Sequence, residues 1–222
     1  MAEYDQLISR IGIEIDEDLL KQALTHRSKS ATNYERLEFL GDSVLGFVVS
    51  SELYSRYPDL SEGELTRLRA THVRKESLAE VARSIDLGSF LHLGSGELRS
   101  GGFDRDSILA DALEALFGAI FVDKGVTAAQ ECIHRLFDDR FSVLNDEALE
   151  KDPKTLLQEF LQKSAIETPL YDVVEVKGAA HDQSFVVSCQ VVGIDTPFIG
   201  EGRSRKKAEQ DAASKALASL TG

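Results

Sequence analysis

The run Glu35-Arg36-Leu37-Glu38-Phe39-Leu40-Gly41-Asp42-Ser43-Val44-Leu45-Gly46-Phe47-Val48 decides how this chain folds. At about 100° per residue, Glu35, Glu38 and Asp42 fall within a sector of roughly 60° on a helix. Leu37, Leu40, Val44, Phe47 and Val48 make most of the remaining circumference apolar. A helix that is greasy nearly all round belongs at a domain centre or an interface, and Asp42 is the only charge between Glu38 and Glu52. Gly41 and Gly46 each weaken such a helix by about 0.5–1 kcal/mol relative to alanine. Close approach of another backbone is the expected reason at both positions.

A second apolar stretch, Ser107 to Val122, surrounds two acids with Ile108, Leu109, Leu113, Leu116, Phe117, Ile120 and Phe121. Those acids, Asp111 and Glu114, are spaced i, i+3 and share a face. An unpaired carboxylate inside such a helix is destabilising by several kcal/mol, comparable with the whole stability of a domain. Something cationic must compensate. Guanidinium groups are one answer, with Arg36, Arg67 and Arg69 as candidates. Two acid pairs on two buried helices, however, bring together four groups that repel one another, which suits a hard divalent cation better. Magnesium fits, because it takes one or two carboxylates together with waters and phosphate oxygens; manganese is the expected substitute. Glu62 and Glu64 have a simpler local explanation, since Ser61 with Glu64 makes a capping box and both acids suit a positive helix N-terminus.

Outward from these two runs, helical periodicity extends from Tyr4 to about Arg140, giving an all-α domain. Helices are expected near 4–11, 17–25, 33–57, 62–73, 74–86, 105–123 and 127–140, the last opened by a capping-box spacing of Thr127 and Gln130. The glycines Gly94, Gly96, Gly101 and Gly102 mark 94–102 as a loop. The polar stretch Asn145 to Lys151 reads as a linker, dividing a domain 1–144 from a second at 152–222. The second begins with Asp152 as N-cap and Pro153 at the first helical position, opening a helix to about Ser164. Alternating runs at Leu170–Lys177, Gln183–Val192 and Pro197–Gly202 read as strands, and Ser204 to Leu220 as a closing helix. The expected fold is therefore multidomain, all-α followed by a small α+β unit of order α-β-β-β-α.

Composition is that of a globular protein, with 42% hydrophobic and 28% charged residues among 222. No apolar run reaches the roughly 20 residues of a bilayer span, and the first ten residues lack the features of a secretory signal. A cytoplasmic location and no membrane partner are expected. Cys132 and Cys189 stand in no metal-ligand or disulfide spacing and read as reduced core thiols. His26, His72, His92, His134 and His181 form no cluster and read as structural or surface residues. The net charge of −13 argues against a nucleic-acid partner. Yet the first 150 residues carry −12 of it, with 16 Lys+Arg against 28 Asp+Glu, and the remainder only −1. Any basic patch must be local, and Ser204-Arg205-Lys206-Lys207 at the start of the last helix is one. Three cations at a helix N-terminus are unfavourable by about 0.3–1 kcal/mol each unless an anion visits, and a phosphate is the natural visitor.

The string Glu35 to Ser43 resembles the signature of the ribonuclease III family. Leu24-Thr25-His26-Arg27-Ser28, Ser61-Glu62-Gly63-Glu64 and Asp111-Ala112-Leu113-Glu114-Ala115-Leu116 resemble that family's other motifs, in the same order and at similar spacing. The resemblance extends to the C-terminal half, which looks like a double-stranded RNA-binding domain and matches the bacterial two-domain form. It implies an endonuclease that cuts both strands of double-stranded RNA, leaving 5′-phosphate and 3′-hydroxyl ends with a short 3′ overhang. It implies that Glu38, Asp111 and Glu114 bind the catalytic magnesium, that Asp42 and Glu114 are catalytic, and that Glu35 and Glu62 are secondary acids near the site. It further implies a homodimer with Phe39 at the subunit interface. Thr155, Gln158, Gln162, His181 and Ser204 to Lys207 match the RNA-contacting positions. Glu209 departs from the pattern, standing where many such domains carry another lysine, and with the near-neutral charge it predicts modest affinity and a shallow salt dependence. Processing of ribosomal RNA precursors, with some messenger and transfer RNAs, is the implied role.

Two readings compete with this. A non-catalytic RNA-binding protein on the same fold would be favoured by loss of one of the four acids, and none is lost. A phosphohydrolase of small phosphates is opposed by the C-terminal half and by the absence of a glycine-rich phosphate loop.

Overall fold

The computed structural model describes residues 4–142, 152–178 and 183–221. The chain forms two compact units, Met1–Leu149 and Glu150–Gly222. The linker expected at 145–151 lies outside the described residues.

The first unit is built on two long helices, α3 (Glu35–Arg56) and α7 (Asp106–Phe141), with α1 (Asp5–Ile11), α2 (Glu17–Ala23), α4 (Glu62–Val73), α5 (Lys75–Ser84) and the short α6 (Ser95–Arg99) around them. The apolar runs of α3 and α7 meet in a single core. Val44, Leu45, Val48, Val49 and Leu53 from α3 and Leu113, Leu116, Phe117 and Ile120 from α7 are all buried there. Each such side chain contributes roughly 1.5–3 kcal/mol by burial, and Phe117, Phe137 and Phe141 extend the core along α7 through ring contacts. Local chemistry sets the helix starts. Asn33 Oδ1 accepts the Glu35 N–H at 2.9 Å, one position ahead of the N-cap Tyr34. The Ser61/Glu64 capping box is formed as its spacing predicts. Arg83 holds the entry to α7 through Asp104 and Asp106, both at 2.6 Å.

Gly41 does what its position predicts. A Cβ there would run into the carbonyl oxygen of Glu114 and lie 2.9 Å from the Gly118 nitrogen, and a Cβ on Gly118 would meet the Leu37 carbonyl and the Gly41 nitrogen. The two backbones touch at this crossing. Gly46 does not follow the same expectation: nothing lies within 4 Å of where its Cβ would be, because it sits on the outward side of α3. The helices expected at 105–123 and 127–140 are the two parts of α7, which breaks at Gly125, whose φ of 82° is non-helical. The loop expected at 94–102 also contains regular structure, α6 and then a 3₁₀ turn at Gly102–Asp104. Its glycines serve contact as well as turning, for a Cβ at Gly94 would strike the Ser28 carbonyl.

In the second unit, Asp152 caps α8 (Pro153–Lys163) by accepting the N–H groups of Lys154 and Thr155. Three antiparallel strands follow in the order β1 (Leu170–Lys177), β2 (Ser184–Gln190), β3 (Phe198–Gly202), and α9 (Arg205–Thr221) closes the unit. The β1–β2 register shifts between Val173 and Glu175, a bulge. Ala208, Ala212, Ala213 and Ala216 seat α9 in a small core with Leu157, Leu161 and Cys189. Among the described residues, no helix is long and apolar enough to cross a membrane.

Replacing Gly41 with alanine should force α3 and α7 apart. Overpacking of this kind is destabilising by about 3 kcal/mol or more, which should appear as a fall of roughly 6–12 °C in the thermal midpoint of the helical unit; an unchanged midpoint would contradict the crossing.

Candidate metal centre and nucleic-acid interface

Because α3 and α7 cross at Gly41 and Gly118, the acids one and two turns away face each other. Glu38 on α3 and Asp111 and Glu114 on α7 each offer an oxygen within 4.8 Å of the other two, and all three are half-buried. They are not neutralised. Among the described residues no lysine or arginine forms an ion pair with any of them or with Asp42, and Arg69 instead donates to Ser50 Oγ at 3.1 Å. No guanidinium is therefore ion-paired to the cluster, and Arg27 favours ionisation of Glu38 and Asp111 only from a distance.

Proton affinity records the same imbalance. The Glu114 carboxyl is pushed up to about 8, first by burial and then by the charges of Asp42, Glu38 and Asp111. Glu38 is pushed up to about 7 by burial, then by Asp111 and Glu35. Asp111 is raised by burial, with Lys75, His26 and Arg27 partly offsetting it. Three hard oxygens converging where the nearby positive charge only partly offsets them fit a hard divalent cation.

The remaining acids differ in placement. Asp42 is exposed and lies outside the trio, yet its charge is the largest neighbouring influence on Glu114. Glu35 is exposed and meets Arg27 at 3.4 Å. Glu62 is exposed at the start of α4, where its Oε1 accepts from Thr66 at 3.0 Å. Phe39, next to Glu38, is 79% exposed, and with Phe47 and Tyr54 it forms an outward apolar strip on α3.

Tyr34 escaped sequence reading. Its ring is buried, and its hydroxyl is made harder to ionise by burial and by Asp111 and Glu38. It borders a polar cavity of about 320 Å³ with Arg27, Arg105, Ser107, Glu38 and Asp111. Only an aromatic residue immediately before the first acid hinted at it. The histidines are structural where described: His26 contacts Ser28 Oγ at 2.7 Å, His72 contacts two backbone carbonyls, and His92 contacts the Tyr4 hydroxyl. Both cysteines are free and buried.

In the second unit Gln158 and Gln162 are exposed along α8, and Thr155 donates to Asp152 Oδ2 at 2.7 Å. Ser204 to Lys207 are exposed at the start of α9, with Ser204 Oγ accepting the Lys207 N–H at 3.2 Å. His181 lies outside the described residues.

Residues 16–141 match the family model described as Ribonuclease-III-like, and residues 153–220 match the double-stranded RNA binding motif. Ribonuclease 3 of Vibrio cholerae is 52% identical over 218 residues, covering 98% of this chain and 97% of that protein. Ribonuclease 3 of Buchnera aphidicola is 52% identical over 204 residues, covering 92% and 90%. Among solved structures, the nuclease domain of ribonuclease III from Campylobacter jejuni aligns with a TM-score of 0.62 at 39% identity, covering 65% of this chain and all of that one. With both of its units matched and relatives alike over nearly their full length, the chain belongs to the ribonuclease III family of endoribonucleases.

Proposed function

We propose that this protein is a magnesium-dependent endoribonuclease that hydrolyses both strands of double-stranded RNA, with manganese able to replace magnesium. The observation that carries the reading is the convergence of Glu38, Asp111 and Glu114, three oxygens within 4.8 Å of one another, whose nearby cations offset their charge only in part. Glu38, Asp111 and Glu114 would hold the ion, which when bound supplies an acidified water and neutralises charge on the leaving oxygen. Asp42, which is exposed and whose charge acts on Glu114, would orient the attacking water through its carboxylate. Glu35, which holds Arg27, and Glu62 would serve as secondary acids. Products with 5′-phosphate and 3′-hydroxyl ends and a short 3′ overhang, and a role in maturing ribosomal and some messenger and transfer RNA precursors in the cytoplasm, complete the proposal.

The unit at 152–222 would deliver the duplex. Such domains span about 16 base pairs and read shape through 2′-hydroxyls and phosphates. Thr155, Gln158, Gln162 and His181 suit hydroxyls, and Ser204, Arg205, Lys206 and Lys207 suit phosphates.

Cutting both strands calls for two sites, and the exposed strip of Phe39, Phe47 and Tyr54 supports a homodimer formed through α3. Gly46, open within its own chain, lies on the same outward side. A Campylobacter jejuni nuclease domain has been described with a region involved in dimer formation.

Glu114→Gln should lower cleavage of a long RNA duplex by roughly 10²–10³-fold or more while sparing RNA binding; full cleavage by this variant at saturating magnesium would remove Glu114 from the mechanism. Phe39→Asp should shift the protein from dimer to monomer in sedimentation, and an unchanged mass would place the interface elsewhere.

Metal-free stability offers an independent check. A carboxyl whose folded value is raised favours folding while protonated, so its contribution is fully present below its ordinary value and is lost as pH rises. For Glu114 that window runs from about 4.5 to about 8. In chelator, Glu114→Gln should therefore melt close to the wild type at pH 4.5 and above it at pH 8.5. Equal midpoints at both ends would show that the carboxylate is relieved by something other than a metal ion.

A further inference from the structure

Glu209 follows the cationic run Arg205 to Lys207 at the start of α9, and its surroundings show what it does there. Its Oε1 accepts from Arg205 Nε at 2.8 Å, and its Oε2 accepts from Lys154 Nζ at 2.7 Å. The carboxylate side chain is only 12% exposed, whereas Arg205 is 63% and Lys154 35% exposed. The acid thus lies underneath and the two cations lie outermost, with Lys154 Nζ also 4.4 Å from the centroid of the Tyr171 ring. The hydrogen bond from Lys154, then that from Arg205, hold the Glu209 carboxyl below the usual carboxylate range. It is ionised at neutral pH. Lys206 and Lys207, by contrast, are exposed and form no ion pair among the described residues.

We propose that Glu209 is an internal counter-charge that occupies Arg205 and Lys154 and so limits the affinity of the C-terminal unit for duplex RNA. The proposal rests on reading that unit as the RNA-binding one. A carboxylate and a phosphate oxygen compete for the same donors. A cation already neutralised from within must loosen its partner before it can meet a phosphate, and it displaces correspondingly fewer counterions from the duplex. Of the four cations gathered here, two are free to meet phosphate and two are shared with Glu209. The unit retains a firm grip on its own helix ends, since Lys154 in the first turn of α8 and Arg205 in the first turn of α9 both bond to Glu209, at the expense of grip on RNA.

The test is equilibrium binding of the full chain to a duplex of about 30 base pairs, long enough for one such domain, without divalent metal so that no cleavage occurs, across a range of potassium chloride. Each phosphate contact restored contributes a slope of about 0.9 in log affinity against log salt, or about fivefold at 0.15 M. Glu209→Gln should therefore bind about 5- to 25-fold tighter than wild type at that salt, with a slope steeper by about 0.9 to 1.8. Lys154→Gln should change little in the wild-type background but lose about fivefold in the Glu209→Gln background. A Glu209→Gln protein that melts normally yet binds equally or more weakly, with an unchanged slope, would overturn the proposal and make Glu209 a positioning residue. If that variant melts early, Glu209→Ser and the pair Lys154→Gln with Glu209→Gln answer the same question by the same slope. Lys206→Ala with Lys207→Ala is the control for the underlying reading: normal melting with undiminished binding would refute RNA binding by this face itself, whatever Glu209 does.

Discussion

The contact of two helix backbones at Gly41 and Gly118 is the constraint from which the rest of the helical unit follows. Side chains any larger would hold α3 and α7 apart, and the carboxylates of Glu38, Asp111 and Glu114 would no longer converge. Like charges in a half-buried setting push the helices away from each other. The apolar faces on either side, Val44 to Leu53 on α3 and Leu113 to Ile120 on α7, supply the opposing force. The site is thus a region of stored repulsion held shut by a large core, an arrangement common where function and stability conflict.

Much of this was legible in residue order alone. Acids inside greasy helices must be explained, and two such helices together point to a cation, because their like charges need a counter-charge. The strands and closing helix of the second unit were legible for a different reason: period-two alternation and the Asp152–Pro153 start signal are local features. What sequence could not show was contact made over long distances. Gly41 and Gly46 look alike in the chain, yet one meets a backbone and the other faces outward. Tyr34 became part of the site only because its ring is buried against residues more than seventy positions away. At 94–102 the glycines signal a loop, yet Ser95–Arg99 is helical and Gly94 packs against Ser28, a long-range contact that local sequence does not encode.

Charge is divided unequally along the chain, and the division has a physical sense. The helical unit carries nearly all the net negative charge, which raises the proton affinity of its central acids further than burial alone would. The second unit is close to neutral and concentrates its cations at the joined starts of α8 and α9. Attraction of a polyanion must then come from a small patch at short range, because at physiological salt fields fade within about 8 Å.

The bulge at Val173–Glu175 has a consequence of another kind. β1 is an outer strand whose Leu170, Val174 and Val176 remain uncovered, and a flat ribbon of that composition would invite a second molecule to zip alongside it. One extra residue throws the hydrogen-bonding ladder out of step midway, and Asp172, Glu175 and Lys177 place charge along the same margin. The strand thereby carries its own deterrent against edge-to-edge stacking into aggregates.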